Sequence, residues 1–199
     1  MAIRKLVEVW DGELLIKKNI FFLKKKTKEV NFPYSDQVTS ILKDLLDTYK
    51  TMPCAGIAAN QIGYDKRIFI GILEDEDEKE KEKKEIIGNP NASNYEFYIN
   101  PQIDHSTNKS IQEGEEGCLS IPEVRLITER FDKIKVRYFN AEGKKIVKPL
   151  NGFLSRLFQH ELDHLNGKLM VQHDMVEGFL DEKANISPEL FHELREIFR

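Results

Sequence analysis

The sequence predicts an α+β fold: short, mostly antiparallel strands packed around one central helix, with an N-terminal helix and a C-terminal helix. Two observations predict it. Apolar residues recur at helical spacing in separated segments, and between them lie short β-branched and aromatic runs bounded by turn residues. A hairpin signal between two of those runs points to antiparallel pairing.

Taken in order, Ser35 stands as N-cap to a segment in which Val38, Ile41, Leu42, Leu45, Leu46 and Tyr49 follow at helical intervals. A helix is expected from 36 to about 50, one face on the core. Before it, residues 17–28 alternate poorly and read as loop with some strand. After it, Met52-Pro53-Cys54-Ala55-Gly56 breaks regular structure. Residues 67–73 form a β-branched, aromatic strand. That strand leads into 12 consecutive charged residues, 74–85, read as a solvated insertion between two strands, with a basic protein partner as the lesser alternative. Strand signals resume at 95–99, 123–128, 133–139 and 144–147, the last two flanking the turn Asn140-Ala141-Glu142-Gly143. Asn151 is placed to cap a helix from 152 to about 165, stopped by Asn166-Gly167. Ser187-Pro188 opens the last helix, about 188–198, which carries Leu190, Phe191, Leu194, Ile197 and Phe198. No internal repeat is visible, and residues 1–199 read as a single catalytic domain.

Composition narrows the function. At 199 residues the chain can bury a core without disulfide staples, and 40% hydrophobic against 32% charged residues describes a solvated globular protein. The formal charge is −4, and the run 74–85, with 8 acids and 4 bases, accounts for all of it. The balanced remainder argues against a general nucleic-acid binder and against direct DNA binding. No apolar run approaches the roughly 20 residues that span a bilayer, and the N-terminus lacks a signal-peptide core. Cys54 and Cys118 are too few for a secreted disulfide framework and fit a cytoplasmic chain in which they are free, catalytic or metal-bound.

His160-Glu161-Leu162-Asp163-His164 carries the chemistry. Histidines four apart stack on one helical face, so both imidazoles reach one metal ion, and the glutamate beside the first, about 100° round the helix, lies within reach of a metal-activated water. Phe153, Leu157, Leu154, Leu165, Phe158 and Leu162 make the face shared by these groups largely apolar. Burying them without a metal would leave donors and acceptors unsatisfied at about 1–3 kcal/mol each. Ser155, Arg156, Gln159, Asp163 and Asn166 fill the rest of the wheel, so Asp163 is read as a supporting or salt-bridging residue, not a ligand.

A catalytic site needs a third protein ligand. Met170 stands where the HExxHxxGxxH zinc proteases have their third histidine, so that subfamily fails. A zinc endopeptidase taking a glutamate ligand would draw on Glu177, Glu182 or Glu189. Cys118, in Glu116-Gly117-Cys118-Leu119-Ser120, is the other candidate, since a thiolate is a good soft ligand.

Three segments together resemble the peptide deformylase family: Gly56-Ile57-Ala58-Ala59-Asn60-Gln61, Glu116-Gly117-Cys118-Leu119-Ser120 and Gln159-His160-Glu161-Leu162-Asp163-His164, in the family's order and at similar spacing. Ile99-Asn100-Pro101, Ile121-Pro122 and Leu165-Asn166-Gly167 add to the likeness. The resemblance implies that Cys118, His160 and His164 bind one divalent ion per chain, Fe2+ natively, with Zn2+, Ni2+ or Co2+ as substitutes. It implies hydrolysis of the N-formyl group of formylmethionyl nascent peptides near the ribosome, releasing formate. Glu161 would move the water's proton to the leaving amine, and the Leu119 backbone N–H and Gln61 side-chain amide would hold the oxyanion. The extended peptide would pair with Gly56 and the backbone after Cys118, and Arg125 would contact the peptide backbone. Phe153 and Leu157 are the candidate wall of the methionine slot, with plain core packing as the alternative; for Arg125 the alternative is a surface ion pair. A catalytically silent peptide binder is the third hypothesis, opposed by the presence of Glu161 and Gln61.

The chain departs from the family pattern in three places. Cys54 replaces the glycine that usually starts the first motif, the common Pro-Asp pattern is missing around Val9-Trp10-Asp11-Gly12-Glu13-Leu14, and the run 74–85 is an insertion. The early strands and the substrate contacts near Ala55 are the features these departures touch.

Overall fold

A computed structural model of the chain describes residues 3–75, 88–173, 175–180 and 187–198. In chain order it contains α1 (Lys17–Leu23), α2 (Asp36–Tyr49), β1 (Gly56–Ala58), a 3-10 turn (Ala59–Ile62), β2 (Ile68–Gly71), β3 (Glu96–Ser106), β4 (Ile111–Cys118) and β5 (Ile121–Phe131). There follow β6 (Lys133–Phe139), β7 (Lys145–Asn151), α3 (Gly152–Leu165), a second 3-10 turn (Met170–Gln172), β8 (Met175–Leu180) and α4 (Pro188–Phe198). A five-stranded sheet runs β1-β2-β3-β6-β7 and a three-stranded sheet β4-β5-β8, and every pairing is antiparallel. The α+β expectation holds.

Period-two alternation explains how the large sheet is covered on both faces. Ile57, Ile68, Ile70, Phe97 and Ile99 point to one side and pack with Val38, Ile41, Leu45 and Tyr49 of α2. Ala58, Phe69 and Tyr98 point to the other and pack with Phe158, Leu162 and Leu165 of α3, where Val136 and Tyr138 of β6 join them. A third cluster joins Cys118, Ile121, Val124 and Leu126 of the small sheet to Ile20 and Leu23 of α1 and to Leu194 and Phe198 of α4. α3 therefore lies between the two sheets. Its polar arc is buried as well: Arg156 and Gln159 are 4% and 6% exposed, and Ser155 not at all. Ser155 Oγ and Gln159 Nε2 donate to the Phe131 carbonyl, while Gln159 Oε1 accepts the Phe131 N–H, so strand backbone satisfies that arc.

α2 and α4 begin as expected, with the Val38 N–H on Ser35 Oγ and the Leu190 N–H on Ser187 Oγ. Two readings need correction. Residues 17–28 are not loop with strand; they begin with α1, which has no capping side chain and owes its place to the burial of Ile20 and Leu23. Asn151 occupies the N-cap position of α3 without a side-chain cap. It is still paired in β7, opposite Lys133, so the Gly152 N–H goes instead to the carbonyl and carboxylate of Asp132 in the β5–β6 turn. Three strands run further than read. β3 continues past Asn100-Pro101 through a register shift, because a bulge tolerates proline's missing donor; β5 reaches Phe131 and β7 Asn151. The N-terminal stretch holds one isolated bridge, Trp10 to Leu15, and its Val7 and Val9 N–H groups tie it to the carbonyls of Gln61 and Ser120. Of the charged run, residues 76–85 lie outside the described residues, as does Glu182; Glu74 follows β2, its N–H on Asn94 Oδ1.

Candidate metal centre

The last residue of β4 and one face of α3 bring the predicted ligands together. The donor atoms of Cys118, His160 and His164 all lie within 4.8 Å of one another, and the Cys118 Sγ to His164 Nε2 distance is 3.3 Å. This is the cluster of three or more His, Cys, Asp or Glu donors found among the described residues. Glu189 stands exposed on α4, outside it. Burial alone would raise the Cys118 thiol, but the neighbouring His164 and His160 bring it down to about 5, so the thiolate a metal takes is accessible at neutral pH.

Glu116, quoted in the second motif without a role, is what sequence reasoning missed. It lies two residues before Cys118 on β4, hence on the same face, and is 5% exposed. Arg130 grips it through two bonds of 2.8 and 2.9 Å, Arg156 adds a third of 2.8 Å, and His160 Nδ1 donates to its Oε2 at 2.9 Å. Desolvation opposes the charge on Glu116, yet these bonds hold its carboxyl well below the usual range. An ionised carboxylate only accepts, so the His160 proton sits on Nδ1 and Nε2 is left for a metal. Arg130 also reaches Asp163, which accepts from His173 Nε2 at 2.7 Å; Asp163 is thus the supporting, salt-bridged residue expected. The signal available in the sequence was the strand period linking Glu116 to Cys118.

Glu161 is 3% exposed, and its Oε2 has no hydrogen-bond partner. Burial, only partly offset by His160 and His164, pushes its carboxyl up to about 7. Such an orphaned, buried oxygen beside a thiolate and two imidazoles fits a divalent metal whose bound groups supply the missing partner. Gly56 makes the approach possible: a Cβ there would lie 2.9 Å from Glu161 Oε1 and 2.9 Å from Leu157 Cδ1.

Gln61 is clamped, its Oε1 accepting the Ala58 N–H at 2.9 Å while Nε2 faces Cys118 Sγ at 3.7 Å and Ser120 Oγ at 3.3 Å. Asn60 Nδ2 donates to the His164 carbonyl at 2.6 Å and fixes the end of α3. A cavity of about 570 Å³ opens over the cluster, lined by Gly56, Gln61, Leu119, Leu157, His160 and Glu161 among others. Phe153, 41% exposed, stands at its rim, whereas Leu157 is buried at 8%. Arg125 also lines the cavity and makes a 2.7 Å ion pair with Glu115 across β4 and β5, so the surface-pair reading is realised there. Cys54 lines the same wall but lies outside the donor cluster, and burial and the charge of Glu161 push its thiol up to about 12.

A thiol and two imidazoles able to hold one metal ion, with a buried carboxylate lining the cavity over them, is an arrangement suited to a metal-dependent hydrolase. The chain belongs to the polypeptide deformylase family, which it matches over residues 15–177. It is 32% identical to the peptide deformylase of Caulobacter vibrioides over 173 residues, 87% of this chain and 88% of the relative. It is also 32% identical to that of Elusimicrobium minutum, over 99% of this chain and 97% of the relative. Among solved structures, the class I type b peptide deformylase of Acinetobacter baumannii bound to Met-Ala-Ser superposes with a TM-score of 0.69 at 26% identity, covering 87% of this chain and all of that one. The Legionella pneumophila enzyme gives 0.67 at 27%, covering 99% and 94%.

Proposed function

We propose that this chain, acting as one catalytic domain, removes the N-formyl group from the formylmethionine of newly made proteins, with Cys118, His160 and His164 holding one divalent ion. The observation that carries the assignment is the convergence of those three donors within 4.8 Å beside the orphaned Glu161 carboxylate. Fe2+ is the native ion of this reading and Zn2+, Ni2+ or Co2+ its substitutes, because a thiolate with two imidazoles accommodates all four. When bound, the ion supplies Lewis acidity and makes a water acidic enough to deprotonate near neutral pH.

The chain's own residues do the rest. Glu161 accepts the attacking water's proton at Oε2 and returns it to the departing amine, and its buried, unpartnered Oε2 is free for both duties. Gln61 Nε2 and the Leu119 N–H flank Cys118 and stabilise the developing oxyanion, worth about 2.7–4 kcal/mol for one such donor. β1 is an edge strand, so its backbone at Gly56 is available to an extended peptide, and the Acinetobacter relative was solved with the tripeptide Met-Ala-Ser bound. Leu157, with Phe153 at the rim, forms the wall for the methionine side chain, and Arg125 turns from Glu115 to the peptide backbone. No helix among the described residues is long and apolar enough to cross a membrane, and the reading places the enzyme in the cytoplasm beside ribosomes.

The test is formate release from a formyl-Met-Ala-Ser peptide by protein loaded with iron in the absence of oxygen. A preparation holding one ion per chain that releases none overturns the assignment. Cys118→Ala separates it from the endopeptidase reading: the deformylase loses its metal, whereas an enzyme using a downstream glutamate keeps it.

A further inference from the structure

The near-balance of charge outside residues 74–85 hides a local excess. Residues 17–28 hold 6 lysines and no acid, and all six are exposed: Lys17, Lys18, Lys24, Lys25, Lys26 and Lys28. At 3.6 residues per turn, positions 17, 18 and 21 and the C-cap 24 fall within an arc of about 120°, facing away from the buried Ile20 and Leu23. Phe21 lies in the middle of that arc, 67% exposed, with Lys25 Nζ 4.4 Å over its ring.

The patch is held rigidly. Thr27 donates twice to the Leu165 carbonyl, through its N–H and its Oγ1, and the Arg67 N–H bonds the Lys28 carbonyl at 2.7 Å. Gly167 packs so closely that a Cβ there would lie 2.3 Å from the Lys24 carbonyl oxygen. Two of the lysines have structural duties: Lys24 Nζ donates to the Ile197 carbonyl at the end of α4, and Lys28 pairs with Asp65 at 3.1 Å. Of the remaining four, Lys25 lies over the exposed Phe21 ring, Lys17 and Lys18 share its face of the helix, and Lys26 follows in the exposed segment.

We propose that the outer face of α1 and the segment following it form a docking surface for RNA, with phosphates on Lys17, Lys18, Lys25 and Lys26 and a base stacked on Phe21. Fixed ammonium groups around an exposed ring are what single-stranded or looped RNA recognises, the charges tracking the backbone and the ring offering a stacking face. RNA is favoured over other polyanions because the exposed Phe21 ring beside the lysines offers a base a stacking face and because a deformylase's substrate is a nascent chain made on an RNA machine; the inference rests on that proposed activity. The patch lies against the Leu165 end of α3, about 18 Å along the helix from Phe153 at the cavity rim, so a docked RNA leaves the mouth open.

The experiment uses metal-loaded full-length protein and a fluorescein-labelled 20-nucleotide RNA, read by anisotropy between 50 and 200 mM salt. Formate release from a short formyl-Met peptide is measured on the same preparations, so failure of the docking surface and failure of the catalytic reading are distinguishable. Reversing Lys17, Lys18, Lys25 and Lys26 to glutamate is expected to abolish RNA binding with formate release unchanged. A milder set, the same four as glutamine, is expected to lower the slope of log affinity against log salt by up to about 3. Phe21→Ala should weaken binding about tenfold. Absence of binding by the parent, unchanged binding by the charge-reversed protein, or equal affinity for heparin or phosphatidylglycerol vesicles overturns the proposal.

Discussion

At the scale of single residues, the proposed function divides the centre between groups that hold the ion and groups that move protons, and the division is testable. Glu161 touches neither ring through a hydrogen bond and leaves Oε2 unpartnered, so Glu161→Ala should keep one metal per chain yet lose about 10²–10⁴ of turnover. Metal analysis beside a formate assay checks it, and loss of the ion would contradict the role. Glu116 acts through His160 instead. Glu116→Gln removes the charge that fixes the His160 proton on Nδ1 and leaves Arg130 and Arg156 without their buried counter-charge. Metal affinity is expected to fall about 10–100-fold. Competition with a chromophoric chelator measures it, and an unchanged constant would reduce Glu116 to a scaffold residue. The sequence made the two roles unequally visible. A histidine pair four apart is legible wherever a helix is, since the helix alone aligns the rings. The thiolate required a strand end far away in the chain, and the residues alone left it open against three glutamates. Glu116 stayed silent because its partners, Arg130 and Arg156, come from β5 and α3, a convergence set only by how β4 packs.

At the scale of elements, what could be read depended on where an element's stability originates. α2 and α4 carry their own caps and apolar spacing, and both begin at the residue expected. α1 has neither cap nor a long enough stripe; buried contacts with the small sheet and α4 make it a helix, and the two lysines within it and four just after it mask its two inward residues. β4 is the reverse case: Ile111–Cys118 holds 2 glycines and 3 glutamates, and its pairing with β5 is set by ladder register and by the space Gly114 leaves for Arg156. A Cβ at Gly114 would lie 2.9 Å from Arg156 Nε. α2 also anchors the N-terminal strap, since Asp44 accepts from Arg4 and Tyr64 and Thr48 Oγ1 accepts the Arg4 N–H. Desolvation raises the Asp44 carboxyl, but the bonds from Tyr64 and Arg4 outweigh it and lower it overall. A carboxyl depressed in the folded state contributes stability that is present above its unfolded value and lost as pH falls through the folded one. Compared with Asp44→Asn, the parent should therefore hold its advantage in urea midpoint at pH 7 and down to the ordinary carboxylate range near 3.8, then lose it below. An advantage that persisted unchanged through that window would show that packing, not the ion pair, holds the strap.

At the scale of the whole molecule, the metal centre is a junction. Cys118 ends a strand of the small sheet, whereas His160 and His164 belong to the helix that covers the large one, so a shared ion would add a tie between two cores that also meet through α3, the segment after α1 and the N-terminal strap. The strap crosses the same junction, with the Val7 N–H on the Gln61 carbonyl and the Val9 N–H on that of Ser120, two residues past Cys118. An ion that binds the folded chain alone must then stabilise it as a whole. At free metal 100 times the dissociation constant the gain is about 2.7 kcal/mol. For a chain of this length, about 2–4 °C in melting temperature accompanies each kcal/mol, so chelation should lower the transition by about 5–10 °C. The unfolding of the two sheets should stay a single transition with metal and become broader or split without it, as the remaining contact between the cores weakens. Cys118→Ala supplies the control, because it removes the link while leaving both cores otherwise filled: its transition should resemble that of the chelated parent and ignore added metal. Calorimetry of the four samples, parent and variant with and without chelator, decides the matter. A parent that binds one ion per chain yet melts identically after chelation would mean that the unfolded chain holds the ion as tightly as the folded one.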